Sequence, residues 1–397
     1  MALTASQLAV VSRLLDEALP LDDAARGRWL ASLPKEHAAL RPALQELLRH
    51  ATSVDAANAS ADPLWQLERQ LRTETKIHHA GERVGPYRLV SERTSSALAS
   101  TWIAERTDVE HRTVELKLPH AEAIDAGLGQ RIVRERARLA ALGHPSLSRL
   151  YDTGWTESGQ PFIAVEHVEG TALDQWCRAK RLDVRERVRL FLDTVRAVAN
   201  IHAHGIVHRD IQPATVVVTD AGRIKLLDVG LVKILSSNPT GVAGADPRHA
   251  APEQIRGEPA SFATDIYALG VVLYELLGGR APYVLMTRER RELEDAILHQ
   301  DPPGPSRITK EPRAAAAMRG PLDAIVLKAL AKQPAQRYET AAAFAADLDR
   351  YLNGQNAEAQ RGADENFAGL GSMVRNPVVW VGGAIVLVVV AVGFLVW

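Results

Sequence analysis

The chain has 397 residues, a length that predicts two or three folded units, and its 47 Lys and Arg nearly balance its 48 Asp and Glu. This balance offers no global basic surface for nucleic acid and no acidic tail, and a hydrophobic fraction of 46% excludes a wholly disordered chain. The single cysteine, Cys177, excludes an intramolecular disulfide and a cysteine-based zinc site, which is typical of a reducing compartment.

Residues 1–50 are rich in alanine and leucine and predict a small helical region. Apolar residues recur at three- and four-residue spacing between Leu8 and Leu19. Two further amphipathic segments run from Arg26 to Leu33 and from His37 to Leu48. Residues 51–84 open with a stretch of small and polar residues, and we interpret them as a linker.

Residues 85–352 form one block that changes character part-way along. Short β-branched runs between residues 87 and 168 predict strands, interrupted by one helical segment over Ile132–Leu142. From Leu173 to Leu352 helical periods dominate, although the stretch of about 20 polar and small residues before Ala251 predicts a loop. The block is therefore predicted to have a two-lobed α+β fold, with a small β-rich lobe, a larger helical lobe and a ligand-binding cleft between them.

The C-terminal 20 residues, 378–397, form an apolar run without a charge. A helix of this length spans about 30 Å, the hydrocarbon thickness of a bilayer. Two arginines lie on the N-terminal side of the run, in a predicted juxtamembrane linker at residues 353–377. The positive-inside rule then places residues 1–376 in the cytoplasm. The run is either a tail anchor or a membrane helix followed by an outer domain.

Charged residues recur in a defined order along the middle block. Lys117 ends an apolar run, and Glu135 lies in the next helical segment. Asp210 follows a His-Arg pair, Asp228 precedes a Val-Gly pair, and Asp265 opens an apolar helix. Each residue alone is a weak signal because most such side chains are solvated. Their order and spacing together are specific.

On these residues the block resembles the eukaryotic-like serine/threonine protein kinases of bacteria. The resemblance is most specific at GIVHRDIQP, at APEQIRGEPASFATDIYALGVVLYELLGGRAPY and at ALAKQPAQRYETAAAFAADLDRYL. The helical N-terminus and the single C-terminal membrane helix also fit receptor-like members. The resemblance implies the two-lobed protein kinase fold and, in an active member, the cofactors ATP and Mg²⁺.

The resemblance also implies a role for each charged residue. Lys117 would hold the α- and β-phosphates and Glu135 would orient that lysine. Asp210 would accept the proton of the substrate hydroxyl, and Asp228 would ligate magnesium. Glu253 and Arg337 would form a scaffold ion pair, and Asp265 would bond the catalytic-loop backbone. Further nucleotide-binding positions are implied at Glu166, Val168, Thr215 and Val217.

The upper part of the nucleotide site departs from the family pattern. The expected glycine-rich loop contains no glycine between residues 89 and 109. Glu115 stands where the family has an alanine under the adenine ring. Because residues i and i+2 of a strand share a face, Glu115 points into the cleft with Lys117. We expect Glu115 to pair with Lys117 in competition with Glu135.

The catalytic loop departs as well. Gln212 replaces a lysine that faces the γ-phosphate, which removes a positive charge from the site of charge development. Thr215 replaces the asparagine that ligates the second magnesium, so only a weak metal ligand is left there. Val229 replaces a phenylalanine. These departures all concern nucleotide or substrate, whereas the scaffold motifs are intact.

Two functions are compatible with a nucleotide site that departs from the family pattern on an intact scaffold. The first is a pseudokinase or very weak kinase in the inner (cytoplasmic) membrane, which acts through a cytoplasmic protein partner and needs no cofactor. The alternative is an active ATP- and Mg²⁺-dependent serine/threonine kinase with a cytoplasmic protein, or itself, as substrate. In either case we expect no nucleic-acid partner, and a dimer is compatible with the single membrane helix. A third interpretation makes residues 1–50 the effector that the kinase unit regulates.

Overall fold

The computed structural model describes residues 78–95, 99–108, 112–120, 128–140, 142–156, 159–235, 247–283 and 290–359, with residues 23–34 and scattered positions between 10 and 48. In this part of the chain no helix has the length and apolar character needed to cross a membrane. The predicted transmembrane helix, 378–397, and most of both predicted linkers lie outside the described residues.

The described part of the N-terminal region contains helix α1 (Asp23–Ser32), which covers most of the helical segment predicted from Arg26 to Leu33. It carries one leucine, Leu30, which is buried. The apolar side chains of this region that are buried are Leu14, Ala18, Leu30, Leu33, Leu40, Leu44 and Leu48.

The small lobe is a six-stranded antiparallel sheet with the strand order β1-β2-β3-β4-β6-β5. The predicted β-branched runs occur as strands, because alternate side chains reach the buried face of the sheet. The strands are β1 (Arg83–Val84), β2 (Tyr87–Ser95), β3 (Ala99–Arg106), β4 (Thr113–Pro119), β5 (Leu150–Trp155) and β6 (Pro161–Glu166).

One helix, α2 (Leu128–Ala140), lies between β4 and β5 in the chain. It begins before the predicted start at Ile132, because Leu128 is fully buried and adds one more turn to the apolar face. Strand β5 has no counterpart among the predicted runs, because its six residues include small and polar side chains that are poor strand formers.

The strand register determines which side chains enter the cleft. Thr101 of β3 is paired with Lys117 of β4, and Ile103 is paired with Glu115. Paired residues, and residues two apart on one strand, share a face of the sheet. Thr101, Glu115 and Lys117 therefore line the same wall, and all three residues are buried.

The large lobe is helical and carries a small second sheet with the order β7-β8-β9. The strands are β7 (Thr171–Ala172), β8 (Val216–Val218) and β9 (Ile224–Leu226). The helices are α3 (Leu173–Ala179), α4 (Val184–Ala203), α5 (Leu231–Leu235), α6 (Pro252–Ile255), α7 (Phe262–Gly278), α8 (Arg290–His299), α9 (Pro312–Met318), α10 (Pro321–Ala329) and α11 (Ala341–Leu352).

Helix α7 is the centre of this lobe, where it packs against α4, α10 and α11. It is apolar on nearly all sides, as expected for a helix surrounded by others. Gly270 permits the close approach of α10, since a Cβ atom built there would lie 2.9 Å from the Cβ of Ala329. The helix ends at Gly279, whose φ of 74° is the left-handed conformation of a glycine cap.

Helix α5 corrects one sequence expectation. The sequence predicts a loop for the residues before Ala251, but the first five of them, Leu231–Leu235, are helical. Leu231 and Ile234 are buried, and α5 packs against α2. Five residues are too few for a periodic signal, so the tertiary contact with α2 decides this helix.

Candidate functional site

The cleft between the lobes brings Lys117 and Asp228 together. The Nζ atom of Lys117 donates to Asp228 Oδ2 at 3.0 Å and to Thr101 Oγ1 at 3.4 Å. Asp228 follows β9 and has a φ of 60°, a left-handed conformation that turns the chain out of the strand. The two residues implied for phosphate and magnesium binding are therefore direct neighbours.

Glu135 lies on α2 with its side chain buried, but in this structure Lys117 pairs with Asp228 and not with Glu135. The Glu135 carboxylate lies 3.1 Å from Arg134 Nε and 3.6 Å from an Arg138 nitrogen. Arg131, one turn earlier, donates from Nε to the carbonyl of Ile234 at 2.8 Å. This hydrogen bond links α2 to α5, while the Glu135 carboxylate contacts the neighbouring side chains of Arg134 and Arg138.

Asp210, the implied proton acceptor, lies in the loop before β8. Gln212 Nε2 donates to Asp210 Oδ1 at 2.7 Å, so the residue in the lysine position contacts the carboxylate directly. Burial raises the pKa of Asp210 above its ordinary value. The neighbouring Gln212 amide is neutral, so it orients the carboxylate but adds no positive charge to the cleft.

The Thr215 hydroxyl is bonded into the same loop. It donates to the carbonyl of Asp210 at 2.9 Å and accepts from the backbone amide of Gln212 at 3.1 Å. Thr215 is only 5% exposed. These two bonds use the hydroxyl hydrogen and one of the two lone pairs of the oxygen, so one lone pair is left. Weak magnesium ligation by Thr215 therefore stays a prediction.

A buried carboxylate anchors the catalytic loop from below. Asp265 accepts from the backbone amides of His208 and Arg209 at 2.7 and 2.9 Å. Its Oδ2 also lies 2.8 Å from His202 Nε2. Arg209 has a φ of 73°, and these bonds hold that unfavourable conformation in place. The histidines of this segment serve the scaffold, since His208 Nε2 contacts the carbonyl of Leu227 at 2.9 Å.

The ion pair between Glu253 and Arg337 lies deep in the large lobe. Two Arg337 nitrogens donate to the two Glu253 oxygens at 2.7 Å each, and Thr264 Oγ1 adds a bond of 2.9 Å. Burial alone would raise the pKa of Glu253, but the Arg337 guanidinium and the Thr264 hydroxyl hold it below the ordinary value.

Glu115 occupies the base end of the cleft differently from our expectation. It does not pair with Lys117. Its Oε1 accepts from an Arg93 nitrogen of β2 and lies 3.3 Å from His167 Nδ1, just after β6. Lys117 contacts Asp228 instead, which leaves Glu115 to the Arg93 guanidinium and the His167 ring.

The remaining predicted nucleotide residues lie around this end of the cleft. The Glu166 carboxylate accepts from Lys225 Nζ at 2.9 and 3.0 Å and from the Arg149 amide at 3.1 Å. Val168 and Val217 pack with Leu227 in a small buried cluster. Val168, in the connection after β6, and Val217, in β8, thus contribute an apolar surface, whereas the β4 wall carries Glu115.

The cleft therefore fits only part of a magnesium nucleotide. Lys117, Asp210 and Asp228 fit the phosphates and one metal ion, since carboxylate oxygens suit magnesium and the ammonium suits phosphate. The charged wall at Glu115 does not fit a flat apolar base. No group of three or more His, Cys, Asp or Glu side chains that could hold a metal occurs within the described residues.

Arg93 and His167 are the site residues that sequence reasoning missed. Each is an ordinary charged or polar residue in its own segment, and neither belongs to a motif. No signal singled out Arg93, because its strand also carries the charged residues Arg88 and Glu92. Their convergence on Glu115 depends on the sheet order and is not visible along the chain.

Comparisons with known proteins agree with this geometry. A sequence profile of the protein kinase domain matches residues 104–348. The serine/threonine-protein kinase PknB of Mycolicibacterium smegmatis is 35% identical over 269 residues, which cover 63% of this chain and 40% of PknB. PknB of Mycobacterium tuberculosis is 33% identical over 263 residues, with the same coverage. The chain thus spans about 40% of the length of these curated relatives.

A solved structure shows the same fold. The crystal structure of the Mycobacterium tuberculosis PknI kinase domain superposes with a TM-score of 0.53 at 26% sequence identity. The match covers 70% of this chain and all of the PknI kinase domain.

Proposed function

This chain belongs to the protein kinase family, with a domain of the bacterial eukaryotic-like serine/threonine type, and we propose that it is a membrane-anchored pseudokinase or very weak kinase. Protein kinases use ATP and Mg²⁺, and the metal neutralises charge on the phosphoryl group in transfer. The observation that carries the proposal is the state of the catalytic loop around Asp210.

Two groups that stabilise charge in this reaction are replaced there. The Thr215 hydroxyl is bonded to the Asp210 carbonyl and to the Gln212 amide, and it is a weaker ligand for a second metal ion than the asparagine of the family pattern. Gln212 contacts Asp210 at 2.7 Å but is neutral. Loss of one preorganised charge-stabilising donor typically lowers kcat by about 10²–10³. Two such losses predict a rate too low for ordinary turnover.

A working kinase is the second candidate, and one observation favours it. Lys117, Asp210 and Asp228 are all present in the cleft, and Lys117 already contacts Asp228 at 3.0 Å. In that case Asp228 would hold magnesium and Lys117 would hold the phosphates. Asp210, whose pKa is raised by burial, would accept the proton of the substrate hydroxyl.

The location and partners belong to the same proposal. The uncharged run at 378–397 supports a single pass through the cytoplasmic membrane, with the kinase-fold domain on the cytoplasmic side. A protein held there would act on, or bind, a cytoplasmic protein, and paired membrane helices would give a dimer. Overall charge balance supports no nucleic-acid role.

Phosphate incorporation decides between the two candidates. The purified full chain is incubated with Mg²⁺ and radiolabelled ATP, alone and with a generic acceptor protein, beside the variant Asp210→Asn. We expect incorporation at the level of Asp210→Asn. Incorporation that is well above that of Asp210→Asn would contradict the proposal and establish an active kinase.

A further inference from the structure

We infer that Arg93, Glu115 and His167 form a tie that closes the base end of the cleft, so that the protein recognises the phosphates of a nucleotide and gains nothing from its base. This inference rests on the proposed function, because it concerns the ligand of the same cleft. It concerns which part of ATP the site can bind, which the geometry of the catalytic loop does not determine.

The tie joins three separate segments of the small lobe. Arg93 lies in β2, Glu115 in β4, and His167 in the connection that follows β6. The sheet order places β3 between β2 and β4, so the Arg93 side chain crosses a whole strand to reach the carboxylate. The contact therefore spans the cleft wall from the glycine-free loop to the connection between the lobes.

Burial makes the tie stable. The Glu115 side chain is 7% exposed, whereas those of His167 and Arg93 are 20% and 36% exposed. A buried carboxylate without a cation is costly, so Glu115 holds its two partners in place. Lys117 does not compensate the Glu115 charge directly, because its ammonium is engaged with Asp228.

A purine ring is a poor substitute for these partners. A base in this part of the cleft would lie against the wall formed by Glu115 and would pack on the apolar cluster of Val168 and Val217. The base is neutral, and it would separate the carboxylate from Arg93 or from His167. The favourable packing of the base on the two valines is then offset by an exposed ion pair or an unpaired buried charge.

The phosphate end is independent of the tie. Lys117 and Asp228 lie at that end, and Glu115 is two residues before Lys117 on the same strand face. A triphosphate without a base reaches Lys117 without disturbing Arg93 or His167. The protein is therefore expected to bind inorganic tripolyphosphate about as tightly as ATP.

Calorimetric titration of the purified full chain with magnesium tripolyphosphate and with magnesium ATP tests this directly. In the unaltered protein we expect dissociation constants within about threefold of each other. In Glu115→Ala, which removes the tie, ATP is expected to bind about tenfold more tightly while tripolyphosphate is unchanged. Arg93→Leu is expected to give a smaller gain in the same direction, because the released carboxylate can turn to solvent.

The double variant separates a tie from simple bulk. If the residues act together, Arg93→Leu adds nothing to Glu115→Ala. A gain in Glu115→Ala with none in Arg93→Leu would mean that Glu115 only fills space, and would overturn the inference. An unaltered protein that prefers ATP over tripolyphosphate by tenfold or more, or variants that bind neither ligand, would overturn it as well.

Two controls keep the outcome interpretable. Arg88→Met breaks an exposed ion pair between Arg88 of β2, the strand that also carries Arg93, and Glu105 of β3, and is expected to leave both affinities unchanged. His167→Asn is the second route into the tie if Glu115→Ala fails to fold, and it is expected to raise the affinity for ATP alone. Phosphate incorporation is measured on the same samples. Incorporation that depends on Asp210 would refute the proposed function. The comparison of the affinities for ATP and tripolyphosphate would still test whether the tie exists.

Discussion

Glu253 in the large lobe and Glu115 in the wall of the cleft are both buried glutamates that contact an arginine, but the two ion pairs have different roles. We call the pair of Glu253 and Arg337 the large-lobe anchor. Glu253 and Arg337 form two matched bonds in a closed environment, and both side chains are almost fully buried. Glu115 is nearly as buried, but its partners Arg93 and His167 are partly exposed and come from separate segments. The first pair holds the fold, and the second occupies space that a ligand would use.

This contrast identifies where sequence change is tolerated. Because Glu253 and Arg337 form a buried ion pair, replacing either residue alone leaves the charge of the other buried and unpaired. A charge at the edge of a cleft can be matched by whichever cation is within reach. The large-lobe anchor therefore depends on both of its residues, whereas the pairing of Glu115 depends on which side chains lie near it.

The largest effect is expected from breaking the anchor. Arg337→Met leaves Glu253 charged and buried, and should lower the free energy of unfolding by about 3–5 kcal/mol. Urea unfolding of the full chain, followed by tryptophan fluorescence, measures the loss. Arg196→Met is the matched control, because it breaks an exposed arginine pair with Asp349 and should cost below about 1 kcal/mol. Equal losses in the two variants would contradict the assigned role.

A smaller loss is expected where the large lobe meets the cleft. Asp265→Asn places an amide against two backbone amides that now donate to the carboxylate. We expect a loss of about 2 kcal/mol in unfolding free energy, since hydrogen bonds to a charged group contribute roughly 1.5–3 kcal/mol. The same urea experiment measures this loss. A variant as stable as the unaltered protein would show that the bonds from Asp265 do not stabilise the catalytic loop.

The next prediction concerns the cleft, where two residues of the catalytic loop are replaced by those of the family pattern. Gln212→Lys combined with Thr215→Asn restores the charge and the amide of the family pattern. We expect phosphate incorporation to rise by at least about 10²-fold, since each restored group contributes about 10²–10³ in kcat. The gain should disappear when Asp210→Asn is added. No gain would indicate that the base end of the cleft, and not the catalytic loop, limits activity.

The weakest effect is a pH dependence of the anchor. Glu253 has a folded-state pKa below its ordinary value of 4.5, so the folded protein binds this proton less readily than the unfolded chain. Its contribution to stability is present above that ordinary value and is lost as the pH falls through the folded-state pKa. The stability difference between the unaltered protein and Glu253→Gln should therefore stay constant while the pH is well above 4.5 and shrink as the pH falls below 4.5 in urea titrations. A difference that grows on acidification would contradict this.

The sequence by itself determined the kinase fold and its scaffold. Strand alternation and helical periods are local, so the runs around β2, β3, β4 and β6 and the helices α4, α7 and α11 could be predicted from neighbouring residues. The scaffold pair Glu253–Arg337 was identified through a resemblance whose motifs retain their order, and the structure places the two residues in contact.

Only the tertiary structure decided which charged residues pair in the cleft. Glu115 is 22 positions from Arg93 and 52 from His167, and Lys117 is 111 positions from Asp228. Several carboxylates and cations lie within reach of each other at this edge, and their pairing depends on distances and burial that no local pattern encodes. The helix α5 has the same origin, because five residues become helical only where α2 covers their apolar side.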